Sequence, residues 1–171
     1  MIDIAVLSGP PWGGDDAAWE ALATTAVIAA FRHSPYAALV DAPEAIEVSV
    51  KLADDAEVRA LNAAYRGKDK PTNVLSFPMV QRDLLAGLAN TDDGEVLLGD
   101  IILAHGVCGR EAAEKGVAAE IHATHLIVHG TLHLLGYDHE KGESEAEAME
   151  AIERAALASI GIADPYAVED A

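Results

Sequence analysis

Cysteine is nearly absent from this chain of 171 residues, and with it the thiolate ligands that many structural zinc sites use. Cys108 is alone, so it cannot form an internal disulfide, and no Cys-x-x-Cys pair offers a redox centre. No apolar run reaches the roughly 18 residues of a membrane span, and the N-terminus lacks the basic stretch of a secretory signal. We therefore expect a cytoplasmic protein without a membrane partner.

Positive charge is also scarce. The chain has 11 Lys and Arg residues against 29 Asp and Glu residues, which gives a net charge of −18. Such a chain repels nucleic acids over most of its surface. The segment 51–82 is the exception, because it holds six of the 11 basic residues and only four acidic ones. We expect a polyanion to bind only at this segment, in a salt-sensitive way.

With 7 Pro, 14 Gly and 51% apolar residues, the composition is that of a globular protein, and the length suits a single domain spanning 1–171. Apolar alternation predicts strands over 2–7, 46–52, 74–77 and 97–103. Helical spacing predicts helices over about 15–34, 54–67, 106–116, 118–135 and 143–161. The segment 81–94 is predicted to be a mobile loop. We expect an α+β fold, in which a small mixed sheet packs with about five helices and one helix is a zincin-like metal-binding helix.

Histidine, by contrast, is clustered, since five of the seven histidines lie between positions 122 and 139. His122, His125, His129 and His133 fall on one stripe of the predicted fourth helix. Histidines four residues apart are separated by about 6 Å along the helix axis, so their nitrogens can bind one metal ion at about 2.0–2.1 Å. Both the 125/129 pair and the 129/133 pair satisfy this geometry.

Gly136 decides between the two pairs. A glycine three residues after His133 can end the helix in a left-handed conformation and turn the chain back, so that His139 reaches the ion held by His129 and His133. Three neutral imidazoles leave one open position, which is typical of a catalytic site, and we expect one divalent ion, zinc. His125 lies too far back, so we expect it and His122 to pack or to support the ligands by hydrogen bonds.

The pattern His-x-x-x-His-x-x-Gly-x-x-His also occurs in metzincin proteases, where a glutamate that directly follows the first histidine acts as the general base. Here that position is Gly130. The missing base argues against peptide hydrolysis by the usual route.

Three blocks of this sequence resemble the YbeY endoribonucleases, a family of ribosomal RNA maturation factors. The blocks are Leu61–Pro78, Leu98–Ile101 and His129–His139, in that order. Asn73 stands where many relatives have Asp. The combination of three ordered blocks is much more specific than the histidine spacing alone.

The resemblance implies a metal-dependent endoribonuclease for single-stranded RNA, acting on ribosomal RNA precursors in small-subunit 3′ end maturation and in ribosome quality control. It also implies that Arg66 is the functionally important arginine. We expect Arg66 to contact the charge that develops on phosphorus and Lys68 and Lys70 to bind RNA. The small ribosomal subunit or its proteins are the expected partners.

The residues leave some alternatives open. Arg66 has a simpler interpretation as a solvated charge at a helix end. The group that moves the proton is open among Asp138, Asp100 and the 2′-OH of the RNA itself. Two other functions are a zincin-type metallopeptidase and a non-catalytic ribosome assembly factor that docks through its acidic surface.

Overall fold

Four strands and five α-helices account for most of the residues that the computed structural model describes, which are 1–43, 45–81, 83–85, 87, 95–138 and 141–165. In chain order the elements are β1 (Ile2–Ser8), α1 (Asp16–Arg32), β2 (Ala45–Ala53), α2 (Asp55–Arg66), β3 (Val74–Pro78), β4 (Glu95–Ala104), α3 (His105–Lys115), α4 (Ala119–Leu134) and α5 (Glu143–Ser159). The predicted α+β class with a small mixed sheet is confirmed. The zincin-like character of α4 stays a prediction.

The strands form one sheet in the order β1-β2-β4-β3. β1, β2 and β4 are parallel, and Val50 of β2 pairs with Val6 on one side and Ile101 on the other. β3 runs antiparallel to β4 and lies at an edge of the sheet. Helices cover both faces of the central strands, which explains why Ile101–Ala104 is a continuous apolar run rather than an alternating one.

The ends of the first two helices follow the sequence signals. Asp15 Oδ1 accepts a hydrogen bond from the amide of Ala17 at 2.9 Å, and Asp54 Oδ1 accepts one from the amide of Glu57 at 2.8 Å. α2 ends at Gly67, whose φ of 68° lies in the left-handed region that glycine adopts without strain. The chain therefore turns away from the helix directly before Lys68.

The main core lies between one face of the sheet and the helices α1, α4 and α5. α4 is the most buried helix, and Ile127, Val128 and Leu132 have no exposed surface. On the other face of the sheet, Val58 of α2 belongs to a smaller cluster with Leu75 of β3. α2 and α4 thus lie on opposite faces of the sheet near its β3 edge.

Gly130 allows α4 to lie directly against the sheet. A Cβ atom at this position would be 2.9 Å from Ile101 Cγ2 and 3.0 Å from Ser76 Oγ, both closer than ordinary contacts. Ser76 Oγ donates a hydrogen bond to the carbonyl oxygen of Gly130 at 3.3 Å. The position that carries the glutamate in the protease motif therefore faces the sheet and has no room for a side chain.

Two short 3₁₀-helices, Pro10–Trp12 and Ala37–Asp41, lie outside the predicted elements. Within the predicted mobile loop 81–94, the structure describes 81, 83–85 and 87, and Leu85 is fully buried in the main core. That part of the loop is anchored, because an apolar side chain gains by leaving water. Among the described helices, none has both the length and the apolarity needed to cross a bilayer.

Candidate functional site

A cleft of about 900 Å³ is lined by residues of β3, α4, α5 and the loop after α2. It brings together the five predicted site residues that the structure describes, which are Arg66, Lys68, Lys70, His129 and His133. The sixth, His139, lies outside the described residues. Folding therefore joins the histidines of α4 to the net-positive segment of the sequence.

His129 and His133 are one turn apart on α4, and their Nε2 atoms are 3.0 Å from each other. The second nitrogen of each ring is bound inside the protein. His129 Nδ1 donates a hydrogen bond to Glu153 Oε1 at 2.5 Å, and His133 Nδ1 donates one to the carbonyl oxygen of Tyr137 at 2.7 Å. Both Nε2 atoms are thus directed to the same point.

These partners determine which ring nitrogen carries the proton. A carboxylate and a carbonyl oxygen can only accept, so each Nδ1 carries a hydrogen and each Nε2 of a neutral ring carries a lone pair. Two lone pairs 3.0 Å apart repel each other, and a shared cation removes that repulsion. The pair therefore has the donor chemistry of two ligands of one metal ion, with hydrogen bonds that orient the rings.

Glu153 of α5 is a residue that the sequence analysis missed. It has no exposed surface, and its two carboxylate oxygens lie 2.5 Å from His129 Nδ1 and 3.2 Å from His125 Nε2. A charge is buried at such a cost that it needs partners of this kind. The available signal was helical spacing, because Glu153 lies on the same buried face of α5 as Met149 and Ala156.

The chain reverses after α4, as the sequence predicts. Gly136 has a φ of 91°, and the amide of Tyr137 donates to the carbonyl oxygen of Leu132 at 3.0 Å. Tyr137 is buried, which fixes its carbonyl oxygen beside His133. The turn brings Asp138 into the lining of the cleft. In the part of the chain that the structure describes, no third His, Cys, Asp or Glu completes a metal-binding group.

His122 and His125, near the start of α4, are both buried and bonded to carboxylates. His122 Nε2 lies 2.8 Å from Glu111 Oε1, which also accepts a hydrogen bond from Asn73 Nδ2 at 3.0 Å. Burial lowers the pKa of His122 below its ordinary value of 6.5, against the opposing effect of Glu111. This environment fits the packing and hydrogen-bonding role that the sequence favoured for both histidines.

Cys108 is a small core residue in the structure. Its side chain is buried, and burial raises the pKa of the thiol to about 12. The nearby carboxylates of Glu111 and Asp55 contribute to this upward shift of the pKa. The thiol is therefore protonated at neutral pH and is not a nucleophile.

Arg66 ends α2 and reaches the edge strand of the sheet. One of its terminal nitrogens donates a hydrogen bond to the carbonyl oxygen of Ser76 at 2.7 Å, and its Cζ atom lies 5.7 Å from the centre of the Phe77 ring. A guanidinium has five N–H donors in a plane, and the bond to Ser76 uses one of them. The others are oriented by this anchor.

The loop that carries Lys68 and Lys70 is held by Asn62, which is buried. Asn62 Nδ2 donates to the carbonyl oxygen of Lys70 at 2.8 Å, and the amide of Lys68 donates to the carbonyl oxygen of Asn62 at 3.2 Å. Asp69 forms an ion pair with Arg59 at 2.8 Å, which holds the pKa of Asp69 below its ordinary value. Asp69, which lies between the two lysines in the sequence, is thus already paired with Arg59.

Comparison with known proteins gives consistent names. Residues 16–161 match the family model described as endoribonuclease YbeY. A protein named endoribonuclease YbeY from Rhizorhabdus wittichii is 66% identical over 170 residues, which is 99% of each chain. A protein of the same name from Sphingopyxis alaskensis is 60% identical over 170 residues, which is 99% of this chain and 100% of that protein.

A solved structure supports the fold. The solution structure of a protein from Thermotoga maritima superposes on this chain with a TM-score of 0.54. The superposition covers 92% of this chain and 91% of the Thermotoga protein. The two sequences are 23% identical, so the likeness concerns the arrangement of helices and strands alone.

Proposed function

The chain belongs to the endoribonuclease YbeY family, and from this membership we propose that it cleaves single-stranded ribosomal RNA precursors with the help of one divalent metal ion. The observation that carries the proposal is the cleft in which the paired imidazoles of His129 and His133 and the guanidinium of Arg66 lie together. Such a site can act on a phosphodiester, whose reaction builds negative charge on phosphate oxygens.

His129, His133 and His139 are the proposed metal ligands. The 3.0 Å separation of the two Nε2 atoms and the fixed tautomers of their rings support the first two. His139 is proposed because it follows Asp138, a lining residue, directly in the sequence. An all-nitrogen ligand set suits zinc, which would supply a Lewis acid for a phosphoryl oxygen or an acidified water molecule.

Arg66 is the proposed catalytic residue, since its guanidinium is anchored at the wall of the same cleft. Two parallel N–H groups of an arginine can contact two oxygens of a phosphate, which a lysine cannot do. Lys68 and Lys70 are proposed to attract the RNA backbone. Their charge is not cancelled by Asp69, because Asp69 is paired with Arg59.

The wider assignment is part of the same proposal. We propose that the chain acts in the cytoplasm, in maturation of the 3′ end of small-subunit ribosomal RNA and in ribosome quality control, with the small subunit or its proteins as partners. The name shared by its relatives and the local positive segment support RNA as the substrate.

Two variants separate catalysis by Arg66 from simple attraction of RNA. In single-turnover cleavage at saturating RNA, Arg66→Lys should lower the rate on the order of 100-fold, because it loses the two-point contact. Lys68→Ala, the matched control, should change binding and its salt dependence but not that rate. A wild-type rate for Arg66→Lys under these conditions would show that Arg66 only docks the substrate.

Two further assays test the other functions. Peptide turnover by the wild type that is lost in His133→Ala would support a metallopeptidase, which the lack of space at Gly130 disfavours. Normal ribosome maturation by a His133→Ala protein that cleaves no RNA would support a non-catalytic assembly factor instead.

A further inference from the structure

Tyr65 is an exposed aromatic residue, whereas four of the seven aromatic side chains that the structure describes are buried. Trp12, Trp19, Phe31 and Tyr137 are buried, whereas Tyr65 is 71% exposed. This is the largest exposed fraction among the large apolar and aromatic side chains that the structure describes. Its ring is therefore accessible to a ligand, at the position directly before Arg66 in the chain.

The ring of Tyr65 is held by Phe77 of the edge strand. The two ring centres are 5.5 Å apart, and the planes meet at 68°, an edge-to-face contact. Such a contact covers at most one face of Tyr65, so at least one face is open to solvent. The guanidinium of Arg66 lies on the same Phe77 ring, 5.7 Å from its centre. Phe77 therefore fixes Tyr65 and Arg66 relative to each other.

The edge strand separates this aromatic pair from the histidines. Side chains alternate along a strand, so Phe77 and Ser76 point to opposite faces of the sheet. Ser76 Oγ bonds to α4, whereas Phe77 packs against the smaller core cluster that contains Val58 of α2. Arg66 spans the edge, because it starts from α2 and binds the carbonyl oxygen of Ser76. An RNA chain that leaves the cleft over this edge of the sheet would therefore pass Arg66 first and Tyr65 next.

We infer that Tyr65 is a stacking platform for an unpaired base of the RNA substrate, one step beyond the phosphate at Arg66. This inference rests on the proposed function and extends it to substrate selection. Base stacking on an aromatic ring needs a base with a free face, which a single strand offers and a stacked duplex does not. The positive charges of Arg66, Lys68 and Lys70 attract phosphates of both forms, so Tyr65 supplies the preference for single strands.

The test is binding of a short single-stranded oligoribonucleotide that carries the fluorescent base 2-aminopurine. Wild-type protein should quench the fluorescence, since stacking on an aromatic ring does so. Tyr65→Ala should lose the quenching and bind roughly five- to 100-fold more weakly, whereas Tyr65→Phe should match the wild type. Leu7→Ala is the matched control, because Leu7 is 63% exposed on β1 at the opposite edge of the sheet, and it should change nothing.

Two further substrates give the sharper result. With an oligonucleotide that lacks the base at the platform, or with duplex RNA, wild type and Tyr65→Ala should bind equally. The stacking role would be overturned if Tyr65→Ala bound and quenched the single-stranded oligonucleotide as well as the wild type does. It would also be overturned if Tyr65→Ala lost the same binding affinity on all three substrates. Neither outcome would contradict the endoribonuclease function. If the wild type neither binds nor cleaves single-stranded RNA, both the proposed function and the stacking role fail.

Discussion

The two halves of α4 carry the same residue at similar spacing and use it differently. In the first half, His122 and His125 direct Nε2 to the carboxylates of Glu111 and Glu153. In the second half, His129 and His133 direct Nε2 to each other, and their Nδ1 atoms take the internal partners. Which ring nitrogen the protein binds decides where the other nitrogen, with its lone pair, lies: for His129 and His133 it lies at the cleft.

Exposure follows the same division. The side chains of His122 and His125 are 3% and 10% exposed, whereas that of His129 is 21% exposed and lines the cleft. Glu153 connects the two halves, since it contacts one histidine of each. The comparison shows that a stripe of identical residues acquires separate roles from the elements packed against it.

The largest expected effect is a loss of metal affinity when His129 or His133, in the second half of α4, is removed. His133→Ala should lower metal affinity by roughly 100-fold or more, because even indirect partners of a metal ligand are worth 10- to 100-fold. His125→Ala should retain one metal per chain. Metal analysis of the purified proteins and chelator competition measure both variants. Metal retained by His133→Ala, or lost by His125→Ala, would mean that the halves of α4 have been assigned the wrong way round.

A smaller effect is expected at the carboxylate between the halves. Glu153→Gln keeps the size of the side chain but removes the charge that orients His129 and favours its tautomer, so metal affinity should fall roughly 10- to 100-fold. Glu150→Gln is the control, since it removes the same charge from the same helix at another position lining the cleft. Equal affinities for the two variants in chelator competition would show that Glu153 does not support the proposed metal ligands.

The smallest effect is expected in the free energy of unfolding at acidic pH, to which His122 contributes. Burial lowers its pKa in the folded protein, so the unfolded chain takes up the proton first as the pH falls through 6.5. The stability that the neutral ring contributes is complete above pH 6.5 and decreases below it, until the lower folded-state pKa is reached. Between pH 7.5 and 5.5, the free energy of unfolding should therefore fall less for His122→Gln than for the wild type. Urea unfolding at both pH values measures this, and parallel losses would contradict it.

The four strands and the five α-helices could be predicted to within two residues at each end, because each carries a local signal. Asp54 and Gly67 bound α2 by capping and by a left-handed turn, and the alternation of 46–52 marks β2. The strand order could not be derived in this way. Pairing of β2 with β4 rather than with β3 depends on contacts between residues about 50 positions apart, which no local pattern contains.

The placement of the candidate site residues could be predicted where it depends on one element and was missed where it depends on two. The spacing of His129 and His133 follows from one helix, and Gly136 marks the reversal after it. Glu153 lies on the next helix, and its contact with His129 depends on how α5 packs on α4. The anchoring of Arg66 on Ser76 was missed for the same reason, since the two belong to different elements.

Ser76 by itself connects the two sides of the cleft. Its hydroxyl holds α4 at Gly130, and its carbonyl oxygen holds Arg66. The guanidinium and the imidazole pair are therefore brought into register when the sheet forms. The conformational entropy of assembling these groups is lost during folding, before any substrate binds. More of the binding free energy of the substrate is then available to stabilise the transition state.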